Sequence, residues 1–226
     1  MAIVTRRRYS NSVTGKHIIA PRDVRANGKA LKRLAVQFQN GEGVKRDYRL
    51  ALRLFRAAAE DGDADAQFTV GTYLEHGVGT NKDERQAAEW YRRAADQGNA
   101  AGRYSLGVCY AEGVGVAQDH RRAVSLFKLA AEQGDSDAEW ALGVAYRFGR
   151  GISQDQRKGF QWLLKAARQG VAAAQFSVGL CYSRGEGVER NMAEAERWYQ
   201  KAARQGDSGA RHNLKLLRAE RKRQPV

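Results

Sequence analysis

Residues 102–134 read GRYSLGVCYAEGVGVAQDHRRAVSLFKLAAEQG, and residues 174–206 read AQFSVGLCYSRGEGVERNMAEAERWYQKAARQG. The two stretches align without a gap, and they are two steps of a longer ruler. Glycine-rich turns begin at Gly41, Gly77, Gly113, Gly149 and Gly185, each 36 residues after the last. A second set, Gly62, Gly98, Gly134, Gly170 and Gly206, keeps the same step. Self-similarity at this length marks stacked helical hairpins, none of which buries a core alone.

Each unit reads as two helices. The first follows a cap residue at Asn27, Asp63, Asn99, Asp135 or Asp207, with Val171 the exception. Short side chains at these positions accept hydrogen bonds from the unpaired N–H groups of a first turn. An Ala or Gly recurs at Ala30, Ala66, Gly102, Ala138, Ala174 and Ala210, with Leu34, Val70, Leu106, Leu142, Val178 and Leu214 four residues later. A step of four on an apolar face is helical. The next residue is tiny: Ala35, Gly71, Gly107, Gly143 and Gly179. Glycine inside a helix costs about 1 kcal/mol against alanine, so its recurrence points to a close neighbour.

The second helix opens at Asp47, Asp83, Asp119, Asp155 or Asn191. Asp83 with Gln86, and Asn191 with Glu194, have the spacing of a capping box. Bulk follows at Leu54, Trp90, Leu126, Trp162 and Trp198. Two helices and two turns leave no room for strands in 36 residues, so the expected fold is an all-α solenoid.

The pattern A-x-x-x-L-G-x-x-Y-x-x-G-x-G-V, then D, then A-x-x-W-Y-x-K-A-A-x-Q-G resembles the Sel1-like repeat family, relatives of the tetratricopeptide repeats. The resemblance covers five units over 28–207, fullest in residues 102–134 and 174–206. It implies a right-handed superhelix of antiparallel helix pairs whose concave face holds peptides or proteins. It further implies adaptor roles in bacterial signalling, secretion or regulation, and no activity. Cysteine-rich members are linked to penicillin recognition, but the paired cysteines of those members are missing here.

The expected organisation is a basic arm over 1–27, five repeats over 28–207, and a capping helix with a basic tail over 208–226. The arm is either solvated or folded back, through Ile18-Ile19-Ala20-Pro21, over the first repeat. The net charge is +14. Residues 1–33 carry +8 and residues 211–226 carry +5, so the body between them is close to neutral. No apolar run approaches the roughly 18 residues of a membrane span, and the first residues lack a secretory apolar core. A cytoplasmic location is expected. Cys109 and Cys181 share a register two repeats apart, too far for a disulfide, and read as packed apolar residues.

The main candidate site is a column on the first helices: Phe68, Tyr104, Trp140 and Phe176, with His212 continuing the step. By analogy with tetratricopeptide repeats it faces the groove. Val108, Val144 and Leu180, with Thr72, follow four residues later and complete an apolar trough for a peptide. The competing reading packs these rings as core against the preceding second helix. Polyanion contacts, to nucleic acid or an acidic protein, are expected from Arg6, Arg7, Arg8, Arg22 and Arg25, and from Arg221, Lys222 and Arg223.

Other motifs lead nowhere. Asp61-Gly62-Asp63-Ala64-Asp65 has the look of a calcium loop, but Ala66 and Thr72 stand where glycine and glutamate are required. The four histidines, His17, His76, His120 and His212, share no ligand spacing. No catalytic residue, metal or cofactor is expected, and the chain reads as a binding protein rather than an enzyme.

Overall fold

The computed structural model describes residues 28–223, with side chains through 219. Eleven helices follow in chain order: α1 (Gly28–Asn40), α2 (Tyr48–Glu60), α3 (Ala64–His76), α4 (Glu84–Asp96), α5 (Ala100–Glu112), α6 (His120–Ala131), α7 (Ser136–Phe148), α8 (Gln156–Arg168), α9 (Ala172–Arg184), α10 (Met192–Arg204) and α11 (Ser208–Arg223). No strand occurs among the described residues. Odd-numbered helices are the first members of hairpins and even-numbered helices the second. Each helix packs chiefly on its neighbours in sequence, so the hairpins stack in order.

The caps form where short polar residues recur. Asp47, Asp83, Asp119, Asp155 and Asn191 are extended and accept from first-turn N–H groups of the second helices. Asp63, Asn99 and Asp135 do the same for the first helices, whereas Val171 makes no such bond. Asn27 lies outside the described residues. The capping boxes do not close as expected: Gln86 donates to the Asp83 carboxylate, and Glu194 accepts from Arg197.

The glycines at this position of the first helices make room for the second helix of the same hairpin, for a ring or leucine side chain and, at Gly71 and Gly143, also for its backbone. A methyl at Gly71 would lie 2.6 Å from the Tyr91 ring, and one at Gly107 2.6 Å from Phe127. Gly143 and Gly179 stand likewise beneath Leu163 and Tyr199. These four side chains, with Phe55 over Ala35, are buried and form the spine of the core. They follow by one residue the bulky Leu54, Trp90, Leu126, Trp162 and Trp198. Three of those tryptophans carry a cation over the ring: Arg93 on Trp90 at 4.4 Å, Lys165 on Trp162 at 3.9 Å and Lys201 on Trp198 at 4.0 Å.

The end of each first helix adapts to that ring. The Tyr91 hydroxyl donates to Glu75, and the Tyr199 hydroxyl pairs with Ser183 at 3.2 Å. Where the ring is Phe127, with no hydroxyl, the matching residue is Ala111. Where it is Leu163, the matching residue is Arg147, which is buried and pairs with Glu186 in the next hairpin's turn through its Nε at 2.8 Å. Val78, Val114 and Arg150 hold the matching turn positions opposite Gln39, Glu75 and Ala111, so this charged pair is local to one junction.

Hairpins lock to one another through the Gly-x-Gly turns. Gly77, Gly113, Gly149 and Gly185 end the first helices in the left-handed conformation. The second glycine does more. A methyl at Gly115 would strike the carbonyl of Glu84, at the start of the preceding second helix, well inside van der Waals contact. Gly79, Gly151 and Gly187 meet Tyr48, His120 and Gln156 in the same way. At the far end the register breaks, because Lys215 of α11 occupies the position of Gly71, Gly107, Gly143 and Gly179.

Two outcomes follow for chemical denaturation. Gly115→Ala combines a left-handed backbone with a collision and should cost about 2–4 kcal/mol. Gly113→Ala, whose methyl would meet only Gln118 at 3.3 Å, should cost about 1–2 kcal/mol. Equal losses would remove the inter-hairpin contact from this account. Glu186→Val strands the buried guanidinium and should cost about 2–3 kcal/mol, most of it recovered by adding Arg147→Gln, the residue in register at Gln39.

Candidate functional site

The aromatic column lies half-buried along the first helices. Phe68 sits 5.8 Å from Tyr91, Tyr104 5.9 Å from Phe127, and Phe176 5.8 Å from Tyr199, measured between ring centroids. The partners belong to α4, α6 and α10, the second helices of the same hairpins. Trp140 makes no such ring pair among the described residues; it shares a cavity with Ala123, Val124 and Phe127 of α6, the preceding second helix. One edge of each ring is core and the other is available. His212 is exposed, and in the first hairpin the column position is taken by Lys32.

The column does not form one uniform trough. Tyr104, Val108, Trp140 and Val144 come together around a cavity of 230 Å³ between α5 and α7, floored by α6 through Ala123, Val124 and Phe127. Glu112, His120 and Arg150 supply its polar groups. Phe68 and Thr72 line a separate, open hollow between α1 and α3 with Lys29, Lys32 and Arg33. There Lys32 bridges Asp63 at 2.8 Å and Asp65 at 3.0 Å, and Asp63 caps α3, which accounts for the acidic run over 61–65. Phe176 and Leu180 pack at the α9–α10 end, where the Phe176 ring closes on Gly209 of α11.

The central cavity has a local cause. Its wall contains Ala111 and Phe127, the one combination in which neither the end of the first helix nor the ring carries a polar group. At the matching positions of other hairpins, Glu75 is hydrogen-bonded to Tyr91 and Ser183 to Tyr199. Deleting a side chain and a hydroxyl at one junction leaves room there.

Electrostatics keep the cavity neutral at its centre and charged at its rim. Burial, and then the carboxylates of Asp137, Asp135 and Glu112, push the Tyr104 hydroxyl up to about 12, so it stays protonated. Burial also raises Asp135, opposed by the Ala138 N–H and reinforced by Asp137. The indole N–H of Trp140 is buried without an acceptor. Such an unpaired donor costs about 1–3 kcal/mol.

The thiols of Cys109 and Cys181 are buried and free, and burial pushes each up to about 11. Protonated, enclosed thiols of this kind are packing groups rather than nucleophiles. Arg6, Arg7, Arg8, Arg22 and Arg25 lie outside the described residues. Arg221, Lys222 and Arg223 close α11, with side chains outside the described set.

Comparison with known proteins agrees with this architecture. The Sel1 repeat model matches five consecutive segments, 28–63, 64–99, 100–135, 136–171 and 172–207. Among solved structures, a Sel1 repeat protein from Oxalobacter formigenes is 30% identical with a TM-score of 0.82, covering 87% of this chain and 78% of that one. The protective antigen c5321 of uropathogenic Escherichia coli, of SLR fold, is 33% identical with a TM-score of 0.76. That alignment covers 83% of this chain but only 40% of the antigen. A Klebsiella pneumoniae protein described as a sel1 repeat protein shares the fold at 22% identity and a TM-score of 0.55, over 87% of this chain and 96% of that one. A search of curated proteins finds no match. Five contiguous repeats, stacked as a right-handed superhelical α/α solenoid, place this chain in the Sel1 repeat family.

Proposed function

We propose that this protein is a non-catalytic scaffold that holds a peptide or protein on the groove face built by its first helices. Sel1 repeat proteins are generally platforms for protein interaction. No described helix is long and apolar enough to cross a membrane. The bacterial origin of the similar structures favours a bacterial setting, and the reading extends to a cytoplasmic adaptor in signalling, secretion or regulation.

The observation that carries the proposal is the cavity between α5 and α7. An apolar space of about 150 Å³ is enough to take up benzene. The 230 Å³ here therefore suits one bulky apolar side chain of a partner, lodged between Tyr104 and Trp140. Rigid aromatic walls make good anchors because little entropy is lost when they are covered. A partner carbonyl that reached Trp140 would also relieve its unpaired N–H. Phe68 and Thr72 on one side, and Phe176 and Leu180 on the other, would extend the contact along the groove.

A second reading is association of nucleic acid or another polyanion with the basic ends. It is favoured by the +8 of residues 1–33 and the +5 of residues 211–226. Phosphate contacts would make its affinity fall steeply with salt; anchoring in the apolar cavity would not.

The experiment selects a binding peptide from a random library and measures affinity by titration. Tyr104→Ala with Trp140→Ala should weaken binding about 10- to 100-fold. Ala111→Glu with Phe127→Tyr copies the arrangement of Glu75 and Tyr91, fills the cavity and preserves a pairing that the fold already uses. That pair should retain the parent's thermal midpoint and lose the peptide. Parental affinity in both variants would exclude the cavity as the site.

A further inference from the structure

The body, close to neutral when read along the chain, has its bases concentrated in the second helices and most of the offsetting acids in the turns and caps. Helices α6 and α8 together carry seven lysines and arginines and no aspartate or glutamate. Arg121, Arg122 and Lys128 of α6, and Arg157, Lys158, Lys165 and Arg168 of α8, are all exposed, on the helix sides opposite buried Phe127 and Ala130 and buried Leu163 and Ala166. Arg122, Lys128 and Lys158 have an acidic neighbour in Asp119, Glu132 and Asp155. Arg121, Arg157, Lys165 and Arg168 form no ion pair among the described residues. Amid these cations stands Leu129, 44% exposed, in the register that Arg93, Lys165 and Lys201 occupy on α4, α8 and α10.

We propose that the outer face of α6 and α8 docks on an anionic lipid bilayer. Charge complementarity names a polyanion, and three features favour a bilayer over a nucleic acid. The cations are spread over adjacent helices, as suits a surface whose charges are mobile and need no register. The aromatic face nearest to them is already covered, by Lys165 over Trp162 at 3.9 Å, so it offers no platform for stacking a base. The exposed apolar group is aliphatic, and a leucine ringed by cations can enter the interfacial region while its neighbours contact headgroups. The surface is separate from the groove, so both can be occupied at once.

The test uses the full chain and sedimentation with phosphatidylcholine vesicles, with and without phosphatidylglycerol. The parent should bind only the anionic vesicles, and high salt should release it. The combined changes Arg121→Gln, Arg157→Gln, Lys165→Gln and Arg168→Gln should lower partitioning roughly 600-fold, from about fivefold per cation. Leu129→Ser should reduce what binding survives at moderate salt. Arg6→Gln, Arg7→Gln and Arg8→Gln serve as the second arm, and circular dichroism verifies folding of every variant. Parental binding in the four-residue variant, or loss confined to the arm variant, would overturn the proposal. So would failure to bind anionic vesicles while a single-stranded oligonucleotide binds through the same four residues. The cavity-filled variant should bind vesicles like the parent, which separates this proposal from the groove reading.

Discussion

The array depends on a carbon without a side chain being pressed against a backbone carbonyl one hairpin away. Gly115 on Glu84, Gly151 on His120 and Gly187 on Gln156 are the same contact repeated, and each also needs a left-handed backbone. A contact made through backbone alone has almost no freedom of length. Successive hairpins are therefore set at one spacing, and equal spacing lines up residues 36 apart as columns. The aromatic column, the row of exposed positions on the second helices and the cavity between α5 and α7 are consequences of that rule. A looser junction, made by side chains, would tolerate drift and blur the columns.

Within this fixed frame, the hairpins differ in how they fill one small volume. A ring, or at one junction a leucine, from the second helix lies over the small residue of the first, and the residue at the end of the first helix must suit its tip. Tyrosine is matched by a hydrogen-bonding partner at Glu75 or Ser183, phenylalanine by alanine, and leucine by an arginine that finds its own carboxylate. Packing and polar satisfaction are solved together, junction by junction. A cavity arises where the solution is smallest, so this feature of the molecule is a subtraction from a common scheme.

Much of the fold is legible in the residues. Caps, helix-ending glycines and the tiny positions each have a single strong physical reason, and they recur. The buried rings were harder to see, because Tyr91 and Tyr199 follow a larger Trp90 and Trp198. Size favours the tryptophan as core, yet a one-residue step turns a helix by about 100°, and the smaller ring is the more deeply buried, Tyr91 ahead of Trp90 and Tyr199 ahead of Trp198. Phe68, Tyr104, Trp140 and Phe176 are visible as a column, but their division among three settings is not. The cavity depends on Ala111 and Phe127, 16 residues apart, each lacking something. Absences at that distance leave no motif. The basic face of α6 and α8 is hidden for another reason: summing charge along the chain averages the second helices with the acidic residues of the turns and caps.

Lys215 gives the scheme a terminus. Stacking another second helix on α11 would bring a ring down on an ammonium-bearing chain instead of on a bare α-carbon. Burying that charge without a partner would outweigh the gain from covering the neighbouring leucines. The same obstacle faces a second molecule arriving end to end with its own helix in that place. One lysine thus acts as a stop in the tiling, and solenoids of this sequence are discouraged from growing into filaments through that end.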